Sequence, residues 1–231
     1  LVSNVDYVQG MTVGAISKGQ YVVDIMQTMG YDAITLGNHE YDYGMERMFQ
    51  LLRQVPAPIV CANLYDMKNE HLVYAPYVIK RVGNKKIAFV GAYTPTSMET
   101  EAYAFRDDEG KTIYDLQIED IPVMVQKAVD EARRAGADYV ILDSHLGEEE
   151  TNRNSDSHTV VANTTGIDIV LDGHSHAVIV ADTVMNKVGK PIVVTQTGTK
   201  FANVGKLVIT PDGKMTTSLI PIESVTEKNN R

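Results

Sequence analysis

Four short apolar segments of this chain each run out on a side chain able to hold a metal, and that pattern limits the possible folds more than any other feature. Leu1–Asn4 is followed by Asp6, and Ala33–Leu36 by Asn38 and His39. Tyr139–Ser144 is followed by His145, and Ile167–Leu171 by His174 and His176. Each segment has the length and apolar content of a buried strand. In open α/β sheets, ligands bind at the carboxyl edge of the strands. Four strands delivering ligand-type side chains to one edge therefore predict a site there.

The spacing between these strands predicts helices. Gly19–Met29 places Val22, Met26 and Met29 on one face and stops at Gly30; Met45–Gln54 turns Met45, Met48, Leu51 and Leu52 inward. Ile121–Ala135, stopped by Gly136, and Ser157–Asn163 read as further helices, and Ile59–Asn63 as a buried strand. Tyr77–Val82 and Lys86–Ala92 form a hairpin about Gly83-Asn84. Thr94–Gln117 is irregular. The final third reads as β meander over Asp182–Asn186, Pro191–Gln196, Lys206–Thr210 and Met215–Pro221. Alternating units followed by a meander predict an α/β fold of two packed mixed sheets with helices outside. One domain is expected over 1–222, with 223–231 as tail or linker.

Composition narrows the function. At 231 residues and 44% hydrophobic the chain can bury a core without staples, and its single cysteine, Cys61, excludes a disulfide framework. Its apolar stretches fall far short of the ~20 residues of a spanning helix. The net charge of −9 disfavours bulk nucleic acid, while small anions remain open because a metal reverses the local sign of charge. Glu148-Glu149-Glu150 reads as a solvated loop.

Imidazole, carboxylate and side-chain amide together suit Zn²⁺, Mn²⁺, Fe or Ni²⁺ rather than Ca²⁺ or Mg²⁺, and the lack of cysteine ligands argues against a structural zinc. In Gly173-His174-Ser175-His176 an extended backbone would point both imidazoles to one side.

Gly37-Asn38-His39-Glu40, then His145, then Gly173-His174-Ser175-His176 resembles the signature of the calcineurin-like metallophosphoesterases. The longer forms Asp6-Tyr7-Val8-Gln9-Gly10 and Gly37–Gly44 resemble the bacterial 5′-nucleotidase branch, which includes the 2′,3′-cyclic-nucleotide phosphodiesterases. The resemblance spans Asp6 to about Pro221. It implies a four-layer α/β/β/α sandwich and two divalent transition metals ~3.5–4 Å apart, with in-line attack on phosphorus by a metal-bound hydroxide. Asp6 would bridge the metals; Asn38, His145 and His174 would complete one site and His176 would serve the other. His39, oriented by Asp42, would assist the leaving group. The family's first motif, Asp-x-His on a strand before the bridging Asp, has no counterpart here, and Val5 stands where the family usually has glycine. The resemblance thus implies an N-terminally incomplete domain holding one metal or none, without the C-terminal domain that grips the nucleoside.

The expected substrate is a nucleotide or related phosphate ester, hydrolysed as a 5′-nucleotidase. The alternatives are a 2′,3′-cyclic-nucleotide 2′-phosphodiesterase/3′-nucleotidase and a non-catalytic metal-binding domain. A periplasmic, cell-surface or secreted location follows from family analogy. Asp143 and Asp172, beside ligand positions, are expected to partner the histidines. His71 and His158 read as surface residues and Cys61 as buried and inert.

Overall fold

The computed structural model describes residues 1–4, 6–10, 12–148 and 155–224. In chain order come β1 (Val2–Ser3), α1 (Thr12–Ser17), α2 (Gln20–Met29), β2 (Ala33–Ile34) and α3 (Met45–Leu52). Next are β3 (Tyr65–Asp66), β4 (His71–Leu72), β5 (Tyr77–Val82), β6 (Lys85–Tyr93), α4 (Ser97–Thr100) and β7 (Tyr114–Asp115). The rest are α5 (Ile121–Arg134), β8 (Tyr139–His145), α6 (Ser157–Ala162), β9 (Ile169–Asp172), β10 (Val178–Met185), β11 (Pro191–Thr197), β12 (Asn203–Ile209) and β13 (Met215–Pro221).

The main sheet has the order β10-β11-β9-β8-β6-β5. Its four inner strands are parallel and its two edge strands antiparallel. Strands buried on both faces read as continuous apolar runs. One face packs Ala88, Val90, Val140, Leu142, Val170 and Val194 against Ile121, Val125 and Val129 of α5 and Val160 and Val161 of α6. A second core joins Val23 and Met26 of α2 and Met48 and Leu51 of α3 to Ile34 of β2. The fold is thus a mixed α/β assembly with helices on both outer sides, as expected. The second sheet comes as two separate pairs, parallel β1-β2 and antiparallel β12-β13.

Between those pairs and the other face of the main sheet lies a cavity of about 840 Å³. Across the hairpin, Ile222 N–H donates to Ala202 C=O and Thr210 N–H to Lys214 C=O, both 3.0 Å, so the even-numbered residues of β12 make the ladder bonds. The backbone groups of Asn203, Gly205, Leu207 and Ile209 face away from β13 and pair with no other strand among the described residues, and all four residues line the cavity together with Val2 and Asn4.

Three sequence expectations need correction. Ile59–Asn63 forms single bridges at Ile59 and Val60, not a strand, because the Asn63 amide bonds the Tyr93 backbone and ties the segment to β6 instead. The buried face of α2 is Val23 and Met26, while Met29 is 45% exposed. The helix α1 was not expected; six residues ending on Ser17 are too short to show a helical period. Glu149, Glu150 and residues 225–231 of the anticipated loop and tail lie outside the described residues, as does Val5.

Candidate metal centre

The carboxyl ends of β1, β2, β8 and β9 converge. His145 closes β8, and its Nδ1 donates to the Asn4 carbonyl at 2.7 Å, which fixes the tautomer and turns Nε2 toward Asp6. The buried Nε2 pairs with Asp6 Oδ2 at 3.3 Å and makes no well-aligned hydrogen bond among the described residues. Asp6 Oδ1 accepts the His39 backbone N–H at 3.1 Å. His174 Nδ1 sits 3.0 Å from Asn38 Oδ1, and the His145 and His174 rings stand 5.2 Å apart. Asp6 therefore meets His145, and Asn38 meets His174, with the two imidazole rings side by side. Two glycines make room. A Cβ on Gly37 would fall 1.9 Å from Asp6 Oδ1, and one on Gly173 2.7 Å from the Asn4 carbonyl oxygen.

His176 stands apart. Ser175 N–H donates back to Gly173 C=O at 3.1 Å, and His174 and His176 adopt φ of 81° and 59°. The segment turns instead of running extended, so the two imidazoles do not share a side. His174 reaches Asn38, and His176 is exposed. Left-handed backbone at a non-glycine residue costs on the order of 1 kcal/mol or more, and such strain gathers at functional sites.

Beside this group, His39 Nδ1 is 3.0 Å from Asp42 Oδ2, and Gln9 Nε2 donates to the same oxygen at 2.8 Å. The buried Glu101 offers a ligand-type oxygen within 4.8 Å of those of His39 and Asp42. Asp42 is already engaged by His39 and Gln9, so this trio reads as a hydrogen-bonded dyad with an acidic neighbour. Gln9 lies inside the Asp6–Gly10 motif without a role assigned from sequence, and Glu101, in the irregular Thr94–Gln117 stretch, carried no sequence signal.

Asp143 and Asp172 do not partner the histidines. Asp172 accepts from Ser144 Oγ at 2.8 Å and from the Leu146 N–H at 3.0 Å, while Asp143 Oδ2 pairs with Thr35 Oγ1 at 3.3 Å. Side chains alternate along β8, so Asp143 and Ser144 leave the strand on opposite sides. His145 is oriented by a backbone carbonyl, which no side-chain motif announces. Cys61 is buried, its thiol pushed up to about 12 by burial, and His71 is exposed, as expected.

Charge is strongly coupled here. For Asp6, burial works to raise the pKa, but His145 and the His39 N–H outweigh it and bring the carboxyl down to about 2. Burial works against a charged His145, yet Asp6 and the Asn4 carbonyl lift it to about 9. Burial and the charge of Asp6 push Glu40 upward, while the Gly37 and Tyr7 N–H groups, which donate to its two oxygens, favour its charged form. For metal-free protein the sign follows. The folded state holds an extra proton on His145 between pH 6.5 and about 9, so stability drops as pH rises through that range. Asp6 contributes no slope there. That proton is worth about 1.4 kcal/mol per pH unit, and the expected fall is roughly 3–5 °C in Tm per unit between pH 6.5 and 8. Thermal melts in EDTA across that range check it; a Tm that rises with pH would contradict it.

The family model described as "Bacterial capsule synthesis protein PGA_cap" matches residues 14–193. The 2′,3′-cyclic-nucleotide 2′-phosphodiesterase/3′-nucleotidase of Salmonella typhimurium is 30% identical over 198 residues, covering 77% of this chain and 30% of that protein. The 5′-nucleotidase of Bos taurus is 32% identical over 176 residues, covering 74% and 28%. The chain belongs to the PGA_cap family and to the calcineurin-like phosphoesterases of the 5′-nucleotidase branch. The crystal structure of the calcineurin-like phosphoesterase YfkN from Bacillus subtilis shares the fold, with a TM-score of 0.77 at 23% identity over 96% of this chain and 77% of that one. The Salmonella typhimurium and Bos taurus relatives are named for the hydrolysis of nucleotide phosphoesters. The chain spans less than a third of the length of either curated relative.

Proposed function

We propose that this chain is the catalytic domain of a metal-dependent phosphoesterase acting on nucleotide phosphomonoesters. One observation carries the reading: the buried His145 Nε2 and the Asp6 carboxylate, 3.3 Å apart beside the His174–Asn38 pair. An imidazole nitrogen, a carboxylate, a side-chain amide and a second imidazole converging at one spot are the donors a divalent transition metal takes. The donor set fits a divalent transition metal, held by Asp6, Asn38, His145 and His174. Such an ion, when bound, lowers the pKa of water and neutralises phosphoryl charge.

The protein's own groups do the remaining work. Asn4 holds the Nδ1 proton of His145 and keeps Nε2 free for the ion. Asp42, steadied by Gln9, accepts the Nδ1 proton of His39 and fixes that ring so that its other nitrogen serves the leaving group. A second ion would draw on Asp6 and His176. The substrate lies between a 5′-nucleotide and a 2′,3′-cyclic nucleotide, since relatives of both kinds match at similar identity. Export belongs to the same reading on family analogy alone.

Mn²⁺ titration of chelator-stripped protein tests the site. We expect about one equivalent to bind and His174→Ala to weaken it at least tenfold; an unchanged isotherm would refute the ligand set.

A further inference from the structure

Glu40 is only 1% exposed, and backbone amides converge on its carboxylate. Oε1 accepts the N–H of Tyr7 at 2.8 Å and of Val8 at 3.3 Å, and Oε2 accepts the N–H of Gly37 at 2.5 Å. The loop after β1 answers in kind, for Asp6 Oδ1 accepts the His39 N–H at 3.1 Å. Each loop thus lends a carboxylate to the other's backbone. The exchange ties the segment carrying Asp6 to the turn carrying Asn38 and His39. A carboxylate buried merely to fill space would be costly, whereas one saturated by N–H donors is held in a single geometry.

We propose that Glu40 is a positioning residue for the metal centre: acting through the Tyr7, Val8 and Gly37 amides, it sets Asp6 against His145 and Asn38 against His174. The proposal rests on the metal-site reading above. It excludes the simplest isostere. A glutamine has one acceptor oxygen, so its NH₂ must face either the Gly37 N–H or those of Tyr7 and Val8, donor against donor.

The test uses the full chain and Mn²⁺ alone, followed by calorimetry, with two controls. His174→Ala removes a proposed ligand. Val90→Ala opens a hole in the core of the main sheet, away from Glu40, and reports what loss of stability alone does. Glu40→Gln is expected to weaken Mn²⁺ binding roughly 10–100-fold, the range for groups that orient metal ligands, while Val90→Ala lowers Tm and leaves Mn²⁺ affinity within twofold. Should Glu40→Gln fail to fold, Glu40→Asp carries the test; it keeps the charge, loses reach, and should weaken Mn²⁺ about tenfold. A folded Glu40 variant that binds Mn²⁺ like the parent while His174→Ala does not would overturn this proposal alone. Affinity that falls equally in Val90→Ala would overturn it as well. Retention of affinity in His174→Ala would sink the metal-site reading and this proposal together.

Discussion

Gly37→Ala is expected to abolish both metal binding and hydrolysis. The backbone at Gly37 is extended, with φ −100° and ψ −174°, so any residue could adopt it; the obstacle is space. The new methyl would sit 1.9 Å from Asp6 Oδ1, 2.7 Å from Asp6 Cγ and 2.8 Å from His145 Cε1. Asp6 cannot swing aside without giving up the His39 N–H, and His145 is pinned by Asn4. Relief therefore comes only by displacing the ligand cluster. A shift of about 1 Å at reacting groups costs on the order of 10²-fold in rate, and a larger loss is expected where ligands themselves move. Calorimetry with Mn²⁺ and a phosphate-release assay on the same sample should both fall below detection. A variant that retained either would show that the loops yield more easily than their hydrogen bonds imply.

His39→Ala should separate chemistry from assembly. The His39 side chain is bonded to Asp42 and lies outside the Asp6–His145–His174 cluster, whereas its backbone N–H, which alanine retains, serves Asp6. Removing a positioned acid or base costs typically 10²–10⁴-fold. We expect kcat to fall by roughly that factor with Mn²⁺ affinity unchanged. Asp42→Asn should give a smaller loss of the same kind, since Gln9 and the turn still hold the ring's neighbourhood. Loss of Mn²⁺ binding in His39→Ala would move that imidazole into the ligand set.

Much of this site was legible in the sequence because side-chain type and strand position sufficed. His145 follows an apolar run, and a side chain at that place in a parallel strand reaches the ligand edge. Gly37-Asn38-His39-Glu40 and Gly173-His174-Ser175-His176 carried their chemistry in their letters. What escaped reading depends on contacts between segments far apart in the chain. The orientation of His145 by Asn4 uses a carbonyl that every residue possesses. The divergence of His174 and His176 follows from left-handed backbone that histidine adopts without a glycine to mark it. Asp143 and Asp172 lay beside ligands in sequence, yet both were drawn to hydroxyl, amide and backbone partners instead. The fold shows the same division. Long strands such as β6 and β8 were plain from apolar runs, whereas two-residue strands such as β1 and β2 exist only through their pairing.

Release of inorganic phosphate from a nucleoside 5′-monophosphate, and of the 3′-monophosphate from a 2′,3′-cyclic nucleotide, by chelator-stripped protein, with and without added Mn²⁺, tests the central claim most directly. The account predicts Mn²⁺-dependent release from at least the monoester, lost in His174→Ala and in His39→Ala. Mn²⁺ bound by the parent chain with no release from either substrate, or release at the parent rate in both variants, would contradict it.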